Sequence, residues 1–248
     1  MSENNAIIYG FHAVNSFLMQ YPEKIQCLIV DSHRHDARMQ EILDLASQHN
    51  ILIKHSSRKE LTSLASHEEH QGVIAMVQSQ TMAPDLEDLL DTKDTPFLLV
   101  LDGVQDPHNL GACLRTANAA GVDAVIIPKD RAVGITPIVT KVASGATLHT
   151  PLYSVTNLAR TLRMLKERGI WLFGTSEHAT ELYSKANLTG SLAIVMGSEG
   201  KGLRRLTEEN CDILIKIPMQ GVVPSLNVSV ATGICLFEAV RQKHANKK

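Results

Sequence analysis

From Pro96 onward the chain alternates short apolar runs with helical patterns, and few architectures accommodate that order. Phe97 to Leu101 is short and wholly apolar, as a buried strand is; Leu110 to Ala119 has helical spacing, and Ala124 to Ile127 reads as a second strand. Helices are expected around Ile138 to Ala143 and over Leu158 to Arg168. Strands are expected at Trp171 to Gly174, Leu192 to Met196 and Ile213 to Ile217, and a last helix from about Asn227 to Gln242. Strands buried on both faces read as continuous apolar runs, so the expectation is an α/β fold with a parallel sheet covered by helices on both faces.

Three strand-end loops in this part carry polar residues around glycines. The last runs from Ile217-Pro218-Met219-Gln220-Gly221 through Pro224-Ser225-Leu226-Asn227 into a helix whose first turns hold small residues. Ser225 is the expected N-cap there, leaving backbone donors facing the loop. The second spans Ile194 to Leu203 with Gly197, Glu199, Gly200 and Gly202; the first spans Leu98 to Gly121 and contains Asp102, Asp106, Asn109, Gly111 and Arg115. Together they point to one shared pocket at the carboxyl ends of strands.

Residues 1–78 read as a separate compact α/β unit. Strands are expected at Ile25 to Val30, Ile51 to Lys54 and Val73 to Val77, with an amphipathic helix over Met39 to Gln48. Residues 79–95 turn acidic, with Asp85, Glu87, Asp88, Asp91 and Asp94, and read as a linker carrying at most one helical turn. The net charge of −2 hides an asymmetry: Lys and Arg number 6 against 9 Asp and Glu in residues 1–78, 1 against 5 in 79–95, and 17 against 12 in 96–248. Seven of the 11 histidines fall in the first part, beside Arg34, Arg38, Lys54, Arg58 and Lys59, a set able to bind phosphate.

The pattern Asp-x-x-x-Asp-Pro-x-Asn-x-Gly-x-x-x-Arg, then Met-Gly-x-Glu-x-x-Gly-Leu, then Ile-Pro-Met-x-Gly followed by Ser-Leu-Asn-Val-Ser-Val-Ala, resembles the three motifs of the SpoU/TrmH RNA ribose methyltransferases of the SPOUT superfamily. Tyr9-Gly10-Phe11-His12-Ala13-Val14 with His70-Gln71-Gly72 resembles that family's appended substrate-binding domain, of ribosomal-protein-like type. The resemblance implies a trefoil-knotted catalytic domain over residues 96–248, a homodimer, and S-adenosylmethionine as methyl donor. It assigns catalytic roles to Asn109, Arg115, Glu199, Ser225 and Asn227, and cofactor contacts to Gly197, Ile217 and Leu226. Its nearest type acts on a guanosine of 23S ribosomal RNA. Relatives acting on tRNA, and resistance enzymes acting on ribosomal RNA adenosine, are alternatives. So is a non-catalytic RNA-binding protein, although the five polar motif residues together argue against it. Pro224 departs from the family, where Ser or Glu is more usual.

Other chemistries lack their motifs. Gly197-Ser198-Glu199-Gly200 does not fit the phosphate loop, and no Gly-x-Gly-x-x-Gly follows the first strand of either part. In His67-Glu68-Glu69-His70-Gln71, glutamine stands where a zinc protease needs its second histidine, and Cys27, Cys113, Cys211 and Cys235 are scattered, so no metal site is expected. The sequence shows neither a signal peptide nor an apolar run near the roughly 18 residues that cross a bilayer, so a cytoplasmic protein is expected.

Overall fold

The computed structural model describes residues 5–65, 70–78 and 85–245. His67, Glu68 and Glu69 of the zinc-like motif lie outside these residues, as do positions 79–84 of the acidic stretch. The chain divides into two compact units, Met1–Ala83 and Pro84–Lys248.

In the first unit the elements run β1 (Asn5–Tyr9), α1 (Phe11–Gln20), β2 (Ile25–Asp31), α2 (Ala37–Gln48), β3 (Leu52–Ser56), α3 (Arg58–Ala65) and β4 (Val73–Gln78). They form one sheet in the order β1-β4-β2-β3. Strand β4 is antiparallel to both β1 and β2, and β3 is parallel to β2. Cys27, Ile29 and Ile74 pack on Leu61 and Ala65 of α3. Helix starts are fixed locally. The Asp36 side chain accepts from the Met39 amide at 3.1 Å. Ser57 and Glu60 form a reciprocal capping box, Glu60 N–H donating to Ser57 Oγ at 3.3 Å and Ser57 N–H to Glu60 Oε2 at 3.1 Å.

The two segments that resemble the family's substrate-binding domain are joined here. Gly10, at φ +88°, turns the chain from β1 into α1, and the first amide of that helix, Phe11 N–H, donates to Gln71 Oε1 at 2.9 Å. His70 is fully buried, its Nδ1 accepting from Gly72 N–H at 3.0 Å and its Nε2 lying 3.1 Å from Thr62 Oγ1. Burial, and then the charge of Arg58, hold its pKa below the ordinary imidazole value, so this histidine stays neutral and structural.

The second unit runs α4 (Leu86–Asp91), β5 (Phe97–Asp102), α5 (Pro107–Ala119), β6 (Ala124–Pro128), α6 (Pro137–Ala143), β7 (Leu152–Val155) and α7 (Leu158–Glu167). It continues through β8 (Trp171–Thr175), β9 (Glu181–Leu182), β10 (Leu192–Gly197), α8 (Arg205–Asn210), β11 (Ile213–Lys216) and α9 (Val228–Ala245). All seven strands are parallel, in the order β7-β6-β5-β10-β8-β11-β9. The two-residue period of a strand sends Phe97, Leu99 and Leu101 into a core shared with α5, α6 and α9, and Leu98 and Val100 into one shared with α4 and α7. This is the expected α/β fold with a covered parallel sheet. The strands the sequence reading did not find in the two units, β1, β7 and β9, all lie at sheet edges, where one flank has no partner strand and the apolar signal is weak. Of the stretch read as an acidic linker, Leu86–Asp91 is a helix whose Leu86 and Leu90 enter the second core, and Arg168 pairs with Glu87 at 3.1 Å and with Asp91.

Cys113 and Cys235 lie in the first core, and burial pushes their thiols up to about 11 and about 12. Gly111 sets how closely α5 approaches α6: a Cβ there would stand 2.7 Å from Val142 Cβ and 3.0 Å from the Val139 carbonyl oxygen. Alanine would favour the helix by up to about 1 kcal/mol, whereas overpacking costs about 1–3 kcal/mol. We therefore expect Gly111→Ala to lower the unfolding free energy in a denaturant titration; a gain in stability would show the helix pair to be looser than described.

Candidate functional site

The three motif loops leave the carboxyl ends of β5, β10 and β11; β5 and β10 are neighbours, and β8 stands between β10 and β11. Between the ends of β8, β10 and β11 and the 224–226 segment lies a cavity of about 840 Å³, lined by Gly197, Ile217 and Leu226 and also by Glu199 and Ser225. Thr175, Ser176 and His178, which the sequence reading did not single out, complete its wall from the β8 side. Their only signal in sequence is that they follow an apolar run. Asn109, Asn227 and Arg115 do not line the cavity.

Asn227 joins the loops. Its Nδ2 group donates to Asn109 Oδ1 on α5 at 2.9 Å and to Glu199 Oε1 in the β10 loop at 2.6 Å. Its Oδ1 accepts from the Ser229 amide at 2.9 Å and from Ser229 Oγ at 2.6 Å, which caps α9. The amide can take one orientation only, because a flip would set NH2 against the Ser229 N–H and oxygen against the Glu199 carboxylate. The α9 N-cap is therefore Asn227, not Ser225. The cause is simple: Ser225 is exposed three positions before the first residue of the helix, whereas Asn227 directly precedes that residue and reaches the second amide. Glu199 also accepts from the Val228 amide at 3.4 Å. No hydrogen bond joins it to Arg115, the other charged residue to which the resemblance assigns a catalytic role.

Gly197 closes β10 for a reason its sequence position hides. Its φ is not positive, yet a Cβ there would overlap the Gly202 carbonyl group and the Leu203 amide nitrogen. The loop returns on Gly200 and Gly202, at φ +72° and +65°, and closes with Ser198 N–H donating to Gly202 O at 3.1 Å and Gly202 N–H to Ser198 O at 3.0 Å. Thus the glycine makes room for the returning chain itself. Asp102, at the end of β5 and 1% exposed, anchors the residue that follows this loop: it accepts from Arg204 N–H at 3.0 Å and Arg204 Nε–H at 2.6 Å. An acidic residue ending an otherwise apolar strand was the available signal for this anchor.

Arg115 lies six residues beyond Asn109 on α5, about 9 Å along the helix axis. It is exposed and forms no ion pair with any described residue. Among the described residues no group of three or more His, Cys, Asp or Glu could hold a metal ion. No helix among them is long and apolar enough to cross a membrane.

A side chain at Gly197 must displace the 198–203 loop and with it the cavity wall. We expect Gly197→Val to lose ligand binding at the cavity and to lower the thermal midpoint by several degrees, since overpacking costs about 1–3 kcal/mol. Calorimetry and a thermal melt read both. Lost binding with an unchanged melt would mean that the glycine serves the ligand alone.

The model of the SpoU rRNA Methylase family matches residues 96–237, and a model described as RNA 2'-O ribose methyltransferase substrate binding matches residues 7–83. The 23S rRNA (guanosine-2'-O-)-methyltransferase RlmB of Vibrio cholerae is 54% identical over 246 residues, covering 98% of this chain and 100% of the relative. Among solved structures, an RNA 2'-O ribose methyltransferase superposes with a TM-score of 0.78 at 28% identity, covering 97% of this chain and 89% of the other. The SpoU methyltransferase AviRb from Streptomyces viridochromogenes, in complex with the cofactor AdoMet, shares the fold with a TM-score of 0.80 at 22% identity, covering 98% and 92%. With its three motif loops gathered on Asn227 and both family models matched, the chain belongs to the SpoU rRNA methylase family.

Proposed function

We propose that this chain is an S-adenosylmethionine-dependent methyltransferase that modifies the ribose 2'-hydroxyl of a guanosine in 23S ribosomal RNA. The observation that carries the reading is the 54% identity to a 23S rRNA guanosine-2'-O-methyltransferase across both units, together with the strand-end cavity. The residues present fit the donor. At about 840 Å³ the cavity lies within the usual ~300–1,000 Å³ of ligand sites, and it combines apolar Met196, Ile217 and Leu226 with polar Thr175, Ser176 and Glu177. S-adenosylmethionine supplies an electrophilic methyl group when bound. The chain's task is then to position: Gly197, Ile217 and Leu226, which line the cavity, would hold the cofactor, while Asn227, Glu199 and Asn109 would fix the loops around it. Ser225, exposed at the cavity rim, stands where substrate would enter.

Arg115 we assign to the RNA. A guanidinium holds its protons too tightly to act as a base, so its part is to clamp a phosphate and stabilise the developing alkoxide, with a neighbouring phosphate or water taking the proton. We propose a homodimer with the site near its interface. Helix α9 is buried on one side through Val228, Cys235, Leu236 and Ala239, yet leaves Val230 and Phe237 51% and 48% exposed on the other. A helix apolar all round calls for a second cover, and a second copy would supply it. Arg115 sits beside that face, since its neighbour Thr116 lies against Gly233 of α9. The trefoil knot is proposed on the family resemblance. We further propose that the first unit, residues 1–78, serves RNA and that residues 96–248, with α4 packed on their core, serve catalysis, in a protein of the cytoplasm, where four free thiols are at home.

The direct test maps ribose methylation of 23S ribosomal RNA from cells lacking the protein and then restores the mark with purified protein and S-adenosylmethionine. A mark lost only from tRNA would overturn the substrate. Arg115→Ala is expected to lower methyl transfer by at least 100-fold while leaving S-adenosylmethionine affinity within a few-fold. Steady-state kinetics and cofactor titration check this, and near-normal turnover would remove Arg115 from the chemistry.

A further inference from the structure

At one edge of the N-terminal sheet β1, β2 and β3 end and β4 begins, because β4 runs against β1 and β2 while β3 follows β2. Backbone bonds lace that edge together: Gly10 N–H donates to Val73 O at 3.2 Å, Asp31 N–H to Gly72 O at 2.9 Å, and Ser32 N–H to Ser56 O at 3.0 Å. Arg34 lies over the Phe11 ring, 4.4 Å from its centroid. The side chains standing on this frame separate by charge. Among the described residues its carboxylates turn to local partners: Asp31 is buried and accepts from His33 N–H, Asp36 caps α2 and pairs with Arg34, and Glu60 closes the Ser57 capping box. His12, His33, His35, Arg38, Arg58 and Lys59 are all exposed, and none forms an ion pair with a described residue. Arg38, Arg58 and Lys59 moreover stand in the first turns of α2 and α3, where the helix dipole disfavours a cation. Three exposed cations in first helical turns, with no ion-pair partner among the described residues, call for an external anion.

We propose that this edge is the surface through which the N-terminal unit grips the phosphate backbone of RNA, with Arg38, Arg58 and Lys59 as the main contacts and the histidines beside them. It rests on the RNA-methyltransferase reading above and adds the residues that do the holding. Contacts of this kind fix register and affinity without reading bases, which leaves the choice of nucleotide to the catalytic unit.

The test compares two variants of the full chain with the unaltered protein. One is the triple variant Arg38→Glu, Arg58→Glu and Lys59→Glu; the other is Lys24→Glu, at the opposite end of the same sheet. Filter binding to protein-free 23S ribosomal RNA over a range of salt is the measurement. The triple variant is expected to bind at least 10-fold more weakly and to lose about 2–3 from the slope of log K against log salt, since each phosphate contact contributes about 0.7–0.9. Its thermal midpoint should be unchanged or higher, because glutamate suits a helix's first turn, and its S-adenosylmethionine affinity should be unchanged. Lys24→Glu should bind like the unaltered chain. A triple variant that binds within twofold and keeps the slope overturns the surface, as does an equal loss from Lys24→Glu. If the unaltered chain binds through this edge but methylates no ribosomal RNA, the surface stands and the activity falls; if it does not bind the RNA, both fall.

Discussion

One side-chain amide, that of Asn227, ties the catalytic unit's three loops together, and the shape of the site depends on it. The demands on it are specific. It must accept from the start of α9 while donating in two directions, to Asn109 on α5 and to Glu199 after β10. Aspartate would set a second carboxylate against Glu199, serine has no pair of donors, and glutamine would push the head group a methylene too far. Residues 109, 199 and 227 are far apart in sequence, so the joint exists only once the sheet has formed.

Around that joint, close approach of backbone does what side chains cannot. Gly197 lets the chain return over the end of β10, Gly200 and Gly202 supply the turn, and the Asp102–Arg204 pair pins the exit. The cavity wall is thus an intramolecular construction before it meets any ligand. In the N-terminal unit Gln71 likewise spends its side chain on the first turn of α1, and His70 is sealed inside. Residues that resemble a substrate-binding fingerprint there hold the edge in place, and the exposed cations beside them have no ion-pair partner among the described residues.

Much of this was legible in the sequence, because long apolar runs alternating with helical spacing admit little besides a covered parallel sheet. The central strands and the helices α5, α7 and α9 follow from that alone; of the three glycine loops expected to share one pocket, those after β10 and β11 line the cavity, while the loop after β5 does not and the end of β8 takes its place. Edge strands such as β7 escaped because only one side of them is paired. Ser225 and Asn227 are about equally good N-caps by residue type, and only the hydrogen bonding of Asn227 distinguishes them. Gly197 read as room for a ligand because a sequence cannot show the chain passing back over itself. Asp102 and Arg204, 102 positions apart, carried no joint signal at all.

If Asn227 acts as a single joint, its partners should not contribute independently. A double-mutant cycle on kcat/KM for methyl transfer, using Asn227→Ala, Glu199→Ala and the pair, measures this. The account predicts that the double variant is little worse than the more damaged single one, with a coupling energy above about 1 kcal/mol. Losses that add within about 0.5 kcal/mol, as for sites that share no partner, would contradict it.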